Sequence, residues 1–137
     1  MKISKKAEYA LRALVAMSRS TVGTVFSIQT LASEERIPLK FLEQILLVLR
    51  KGGILHSRRG AGGGYQLARA VARISVGDVL ELIDGPLQLL PAGEAVSPGL
   101  VSAFRELNED IQQKLSTLTL ADILQREQAK GAVSFEI

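Results

Sequence analysis

The stretch Arg59–Gly60–Ala61–Gly62–Gly63–Gly64 constrains this chain more than any other. A run so rich in glycine cannot sustain a helix, because each glycine gives up more backbone freedom on ordering than any other residue. Two short segments of strand length flank it, Ile54–Arg58 and Tyr65–Ala68. Short alternating segments joined by a glycine-rich connection predict a β-hairpin.

Helical signals precede the hairpin. Residues 4–19 carry Ala7, Ala10, Leu11, Leu14, Val15 and Met17 around most of a helical circumference, with Ser4 as cap, which predicts a central helix. Residues 20–24, with Gly23, form a loop. Ser27 caps a short helix to about Glu35, with Ile28, Leu31 and Ala32 inward. Glu35–Arg36–Ile37 is a tight turn. Pro38 suits the first turn of a third helix, which runs to about Lys51 and ends on Gly52–Gly53. Helix, turn, helix, hairpin is the order of a winged helix–turn–helix.

Downstream, Ser75 and Asp78 open a helix to Ile83, and Asp84–Gly85–Pro86 stops it. Residues 85–99 are irregular. Ser97–Pro98 starts a long helix to about Ser116. Thr119 and Asp122 cap a last helix to about Lys130, and Gly131 releases a tail, Val133–Ile137, suited to a strand. The predicted class is mainly α with a small β-hairpin wing and a long helix for dimerisation.

Charge divides the chain at the same place. Residues 1–73 hold 13 Lys and Arg against 4 Asp and Glu, a balance of +9, and residues 74–137 hold 4 against 10, a balance of −6, which together give the net +3. A basic front half fits a polyanion. Residues 1–73 are therefore read as a DNA-binding module and 74–137 as a helical dimerisation and regulatory extension packed on it.

Several classes are excluded. No apolar run approaches the roughly 20 residues of a membrane span. The opening MKISKKAEYALRALVAM is interrupted by Glu8 and Arg12 and lacks a small-residue cleavage site, so a cytoplasmic protein is expected. With no Cys and one His, His56, disulfides, thiolate sites and His-rich metal sites are ruled out. The G-x-G-x-x-G spacing fails at Tyr65, and a strand follows where a nucleotide-binding loop needs a helix. Asp78, Glu81 and Asp84 share a solvated helix face. Nothing resembles a catalytic constellation, so no enzyme, no metal and no cofactor are expected.

The third helix carries Leu42, Ile45, Leu46 and Leu49 on one face, and Lys40, Glu43, Gln44 and Lys51 on another, with Leu47 as an apolar exception. In a helix–turn–helix such a face enters the major groove: Lys40 and Gln44 are donors suited to phosphate or base edges, and Glu43 can accept from a cytosine amino group. The plain alternative is a solvated face. Arg58 and Arg59 beside a tight tip suit a minor groove or phosphates; the alternative is an ordinary surface loop.

The strings EYALRALVAM, PLKFLEQILLVLRKGGIL and SRRGAGGGYQLA together resemble the Rrf2 family of dimeric bacterial winged-helix regulators, over essentially the whole chain and most strongly over residues 1–85. The resemblance implies that residues around Lys40 to Gln44 read the major groove. It gives Arg59 and Gly60 the minor-groove wing position, and brings Tyr9, Ser27 and Arg50 to phosphate. Cluster-binding members hold iron and sulfur with cysteines in the segment matching residues 85–110. Here that segment has no Cys and no His, so their sensing chemistry does not transfer. Glu8, at a place where some members offer a carboxylate ligand, is read as a solvated or capping group.

Val101, Phe104, Asn108, Ile111, Leu115 and Leu118 follow heptad steps along the long helix, with one polar position. This seam fits either a partner helix or the chain's own module, and the resemblance favours the partner. The expected function is a homodimeric transcriptional regulator, a repressor by the resemblance, on a palindromic duplex site. Two rivals stand beside it. One is a protein–protein adaptor that uses the acidic half. The other is a small-molecule sensor with a pocket from residues 85–99 and Leu87, Leu89 and Leu90.

Overall fold

The structure, a computed structural model, describes residues 2–90 and 97–136. Six helices and one hairpin follow in the order α1 (Lys5–Ser18), α2 (Ile28–Glu35), α3 (Leu39–Lys51), β1 (Leu55–Arg58), β2 (Gly64–Leu67), α4 (Val76–Asp84), α5 (Pro98–Thr117) and α6 (Leu120–Glu136). A 3-10 turn at Val71–Arg73, not foreseen from sequence, leads into α4.

Side-chain caps set the helix starts. Ser4, Ser27, Ser75 and Ser97 each accept a hydrogen bond from the amide three residues on. Pro38 sits at the N-cap of α3, one position earlier than expected, and gives no side-chain cap.

Two left-handed residues build the turns around α3. After α2, Arg36 takes φ 54°, the Ile37 amide donates to the Ala32 carbonyl at 2.9 Å and the Arg36 amide to Ser33 at 3.4 Å. After α3, Gly53 takes φ 78°, with Ile54 donating to Leu49 at 2.9 Å and Gly53 to Arg50 at 3.0 Å. Both are Schellman closures. Each turns an isoleucine inward, since Ile37 and Ile54 are buried. Ile54 therefore closes the helix, and β1 begins at Leu55 where a start at Ile54 was expected.

The core is aliphatic and continuous. Ala10, Leu14 and Met17 of α1 pack with Leu42, Ile45, Leu46 and Leu49 of α3, and with Ile74, Val79 and Leu120 from the acidic half. The start of α4 is tied to the α5–α6 junction by Val76 donating to Leu118 at 2.8 Å and Leu120 donating to Ile74 at 2.9 Å. Among the described residues, no helix is long and apolar enough to cross a membrane.

The tail differs from expectation. Helix α6 continues through Gly131 to Glu136 and no strand forms over Val133–Glu136; Ile137 lies outside the described residues. One interior glycine costs only about 1 kcal/mol, which a helix already nucleated by the Thr119 cap absorbs.

Candidate nucleic-acid interface

Burial of Leu42, Ile45, Leu46 and Leu49 turns the opposite face of α3 outward. At 100° per residue that face collects Lys40, Gln44, Leu47 and Lys51, with Glu43 and Arg50 along one edge and Phe41 along the other, all but Phe41 and Leu47 polar and every one exposed. None of Lys40, Arg50 and Lys51 enters an ion pair among the described residues.

The wing follows directly. Strands β1 and β2 pair antiparallel from Leu55↔Leu67 to Arg58↔Gly64. The tip is closed by the Gly63 amide donating to the Gly60 carbonyl at 2.9 Å, and Gly60 takes φ 97°, a conformation that favours glycine. Arg59 and Gly60 are exposed there. Arg58 differs from Arg59: its Nε donates to Oε1 of the buried Gln66, which anchors the side chain along the hairpin. Arg59 makes no such bond among the described residues.

A third segment joins the wing. The Phe26 amide donates to Tyr65 at 2.7 Å and the Tyr65 amide to Phe26 at 2.9 Å. This bridge sets the base of the wing against the start of α2. The Ser27 hydroxyl accepts from the Thr30 amide at 3.1 Å and donates to Thr30 Oγ1 at 2.8 Å. Its proton is thus committed, and what α2 offers an anion are its N-terminal amides.

Tyr9 of α1 is half-buried beside Phe41 of α3, ring centroids 6.3 Å apart. Lys5 Nζ lies 5.2 Å and Arg12 Cζ 5.6 Å from the Tyr9 centroid, within cation–π range. Arg12 also donates to the Glu35 carbonyl at the end of α2. Glu8 pairs with Lys5 at 2.9 Å. That hydrogen bond and the carboxylate charge raise the Lys5 pKa above its usual 10.5. Sequence reasoning passed over Phe41. The signal was an aromatic residue off the apolar stripe of an amphipathic helix.

One residue of the α5 heptad seam is engaged within its own chain. Asn108 was expected as a register position toward a partner helix, yet its Nδ2 donates to the Leu87 carbonyl and its Oδ1 accepts from the Leu89 amide, both at 3.1 Å. A half-buried amide finds partners wherever backbone is nearest, here in its own chain. Val101, Phe104, Ile111, Leu115 and Leu118 are half-buried. Ile111 and Leu115 line an open cleft of about 430 Å³ against α4 and the segment around Leu87 and Leu89. Leu90, half-buried, is not in its lining, and residues 91–96 of the sequence-predicted pocket lie outside the described residues. Leu100 and Leu107, one heptad apart on the flank of the seam, are 46% and 48% exposed.

Residues 3–126 match the model of the Rrf2 family, described as an iron-dependent transcriptional regulator. The chain belongs to the Rrf2 family. Rv1287 of Mycobacterium tuberculosis, named as an HTH-type transcriptional regulator, is 40% identical over 130 residues, 90% of this chain and 81% of that one. The structure of CymR, the global cysteine regulator of Bacillus subtilis, superposes with a TM-score of 0.82 at 26% identity, over 92% of this chain and 98% of that one. IscR of T. potens gives a TM-score of 0.76 at 30% identity, over 93% and 88%. These relatives are regulators and not enzymes. This Rrf2 protein is accordingly a DNA-binding transcriptional regulator with a winged helix–turn–helix.

Iron in the family description raises the matter of fit. Iron–sulfur clusters are held by thiolates, and this Rrf2 chain has no Cys. Its one His, His56, is exposed on β1 and paired opposite Gln66 in the wing. Glu8 is engaged by Lys5. The donor set does not fit a cluster.

Proposed function

We propose that this protein is a homodimeric repressor that reads a palindromic operator in the cytoplasm without an iron–sulfur cluster. The observation that carries this reading is the exposed set Lys40, Arg50 and Lys51 on α3, in no ion pair among the described residues, with Arg59 on the wing that follows α3 directly. In this reading Lys40, Glu43 and Gln44 meet base edges. Arg59 and Gly60 enter a minor groove. Tyr9, Arg50 and Arg58 position phosphates, and the Ser27 position does so through the amides at the start of α2, its hydroxyl proton being held by Thr30. The basic module 1–73 holds the duplex, and 74–137 makes the dimer. A dimer follows from Leu100 and Leu107, whose exposed apolar surface α5 leaves beside the seam of Val101, Phe104, Ile111, Leu115 and Leu118. Occupying a promoter is sufficient for repression.

Two alanine variants test the DNA contacts. Arg59→Ala lowers affinity for operator and scrambled duplex alike, and the salt slope falls by about one unit per subunit. Glu43→Ala leaves scrambled binding equal or stronger, while discrimination at one base pair per half-site falls by about 1–3 kcal/mol. Equal weakening of both duplexes by Glu43→Ala makes Glu43 structural. For the dimer, sedimentation at micromolar concentration gives a dimer for the wild type and a folded monomer for Leu107→Asp. A monomeric wild type refutes the assembly.

The cleft beside Ile111 and Leu115 favours a second role, binding of a small effector of partly apolar character. An effector that changes operator affinity, and loses that effect in Leu115→Trp, supports it; operator release without such dependence does not.

A further inference from the structure

Phe41 is more exposed than its surroundings warrant. The residue is 51% exposed, the third of α3, while Leu42 beside it is fully buried. Apolar surface left in water forfeits stabilisation in proportion to its area. The ring is not loose. It leans on Tyr9 at 55°, and Tyr9 is flanked by Lys5 and by Arg12. Arg12 is in turn held by the Glu35 carbonyl. Elements α1 and α2 thus back this aromatic edge through Tyr9 and Arg12, at the end of the helix whose first residues meet base edges in a helix–turn–helix.

Among the base edges of a major groove the apolar group is the C5 methyl of thymine, and phenylalanine is one of the side chains that packs on it. We infer that Phe41 is a specificity-determining residue that packs on a thymine methyl in each half-site. Lys40 beside it and Gln44 one turn on hydrogen-bond, whereas Phe41 excludes water and rewards the methyl. Tyr9 orients the ring from behind. This inference rests on the DNA-binding reading above.

Deoxyuridine supplies the test, because it differs from thymine only in lacking the methyl. Duplexes are selected from a random pool with the full-length protein. Each thymine of the preferred site is then replaced by deoxyuridine, symmetrically in both half-sites. The wild type is expected to lose about three- to fivefold in affinity per half-site at one position, the worth of one buried methyl. Phe41→Ala binds the thymine and deoxyuridine duplexes equally, and Phe41→Leu keeps part of the preference, with folding of both checked by circular dichroism. Specific binding by the wild type with no dependence on any methyl overturns this inference alone. So does full methyl dependence retained in Phe41→Ala, or its loss in Leu39→Ala or Leu47→Ala instead, which gives the methyl to another exposed apolar side chain of α3. Binding to no duplex overturns the DNA-binding reading as well. Loss of self-association in Phe41→Ala, with methyl dependence unchanged, makes the ring a protein contact.

Discussion

A Cβ at Gly64 would stand 2.0 Å from the Phe26 carbonyl oxygen and 3.2 Å from the Ser27 Cα. Both obstacles are backbone, so Gly64→Ala has to open the Phe26–Tyr65 pair. We expect a loss of about 1–3 kcal/mol in urea denaturation, with faster exchange of the Phe26 and Tyr65 amides. Arg36 presents the opposite case. It is the one non-glycine residue with positive φ among those described, at 54°. Left-handed backbone costs an L-residue about 1–2 kcal/mol, and glycine is favoured at this place after a helix. Arg36→Gly should therefore raise stability by about 0.5–1 kcal/mol, part of the gain being returned through the unfolded chain; an unchanged midpoint refutes it. The hairpin was legible because few residues can replace a glycine run. The demand for glycine at 64 itself was not, because it comes from Phe26, far away along the chain.

Caps were the most legible feature of the helices, since a hydroxyl three residues before a free amide is a local event. Ser4, Ser27, Ser75, Ser97 and Thr119 all begin helices where the chain alone indicated. At α6 the cap is reciprocal. Thr119 Oγ1 accepts from the Asp122 amide at 3.2 Å, and Asp122 Oδ2 accepts from the Thr119 amide at 2.9 Å. The Thr119 backbone amide first, and the Thr119 side chain after it, hold the Asp122 carboxyl below its usual 3.8. A lowered folded value means that the cap contributes fully above pH 3.8 and is lost as pH falls through the folded value. Carboxyl-carbon NMR should show Asp122 titrating below 3.8, and Thr119→Ala should return it upward and lower the melting midpoint by a few degrees. The seam of α5 was legible as a period but not as a destination. A heptad step looks alike whether it faces a partner or α4, and spacing carries no sign of the hydrogen bonds that Asn108 makes to Leu87 and Leu89. The extension of α6 past Gly131 was missed for a related reason: a punctuating residue is weak against a helix already under way.

The two halves of opposite charge are stitched together at both ends of α1. The Ser4 amide and hydroxyl both donate to the Asp84 carboxylate at the close of α4, and Arg19 grips Glu127 of α6 through Nε and Nη2 at 3.1 and 3.0 Å. Asp84→Ala frees the Ser4 end and should speed amide exchange over the first turn of α1, leaving the Arg19 end unaffected; uniform exchange along α1 would contradict this. Sequence could show the charge division, but not that α1 spans it, because a pair such as Arg19 and Glu127 has no signature in spacing.

The bridge between Phe26 and Tyr65 braces the root of the wing against the start of α2 with two backbone hydrogen bonds. Splaying the hairpin at its root would break them. On the DNA-binding reading proposed above, a duplex whose groove spacing does not match this braced wing would be bent toward it, and the work of bending depends on the base steps between the contacts. Base pairs that no side chain touches would then still be weighed, through their stiffness.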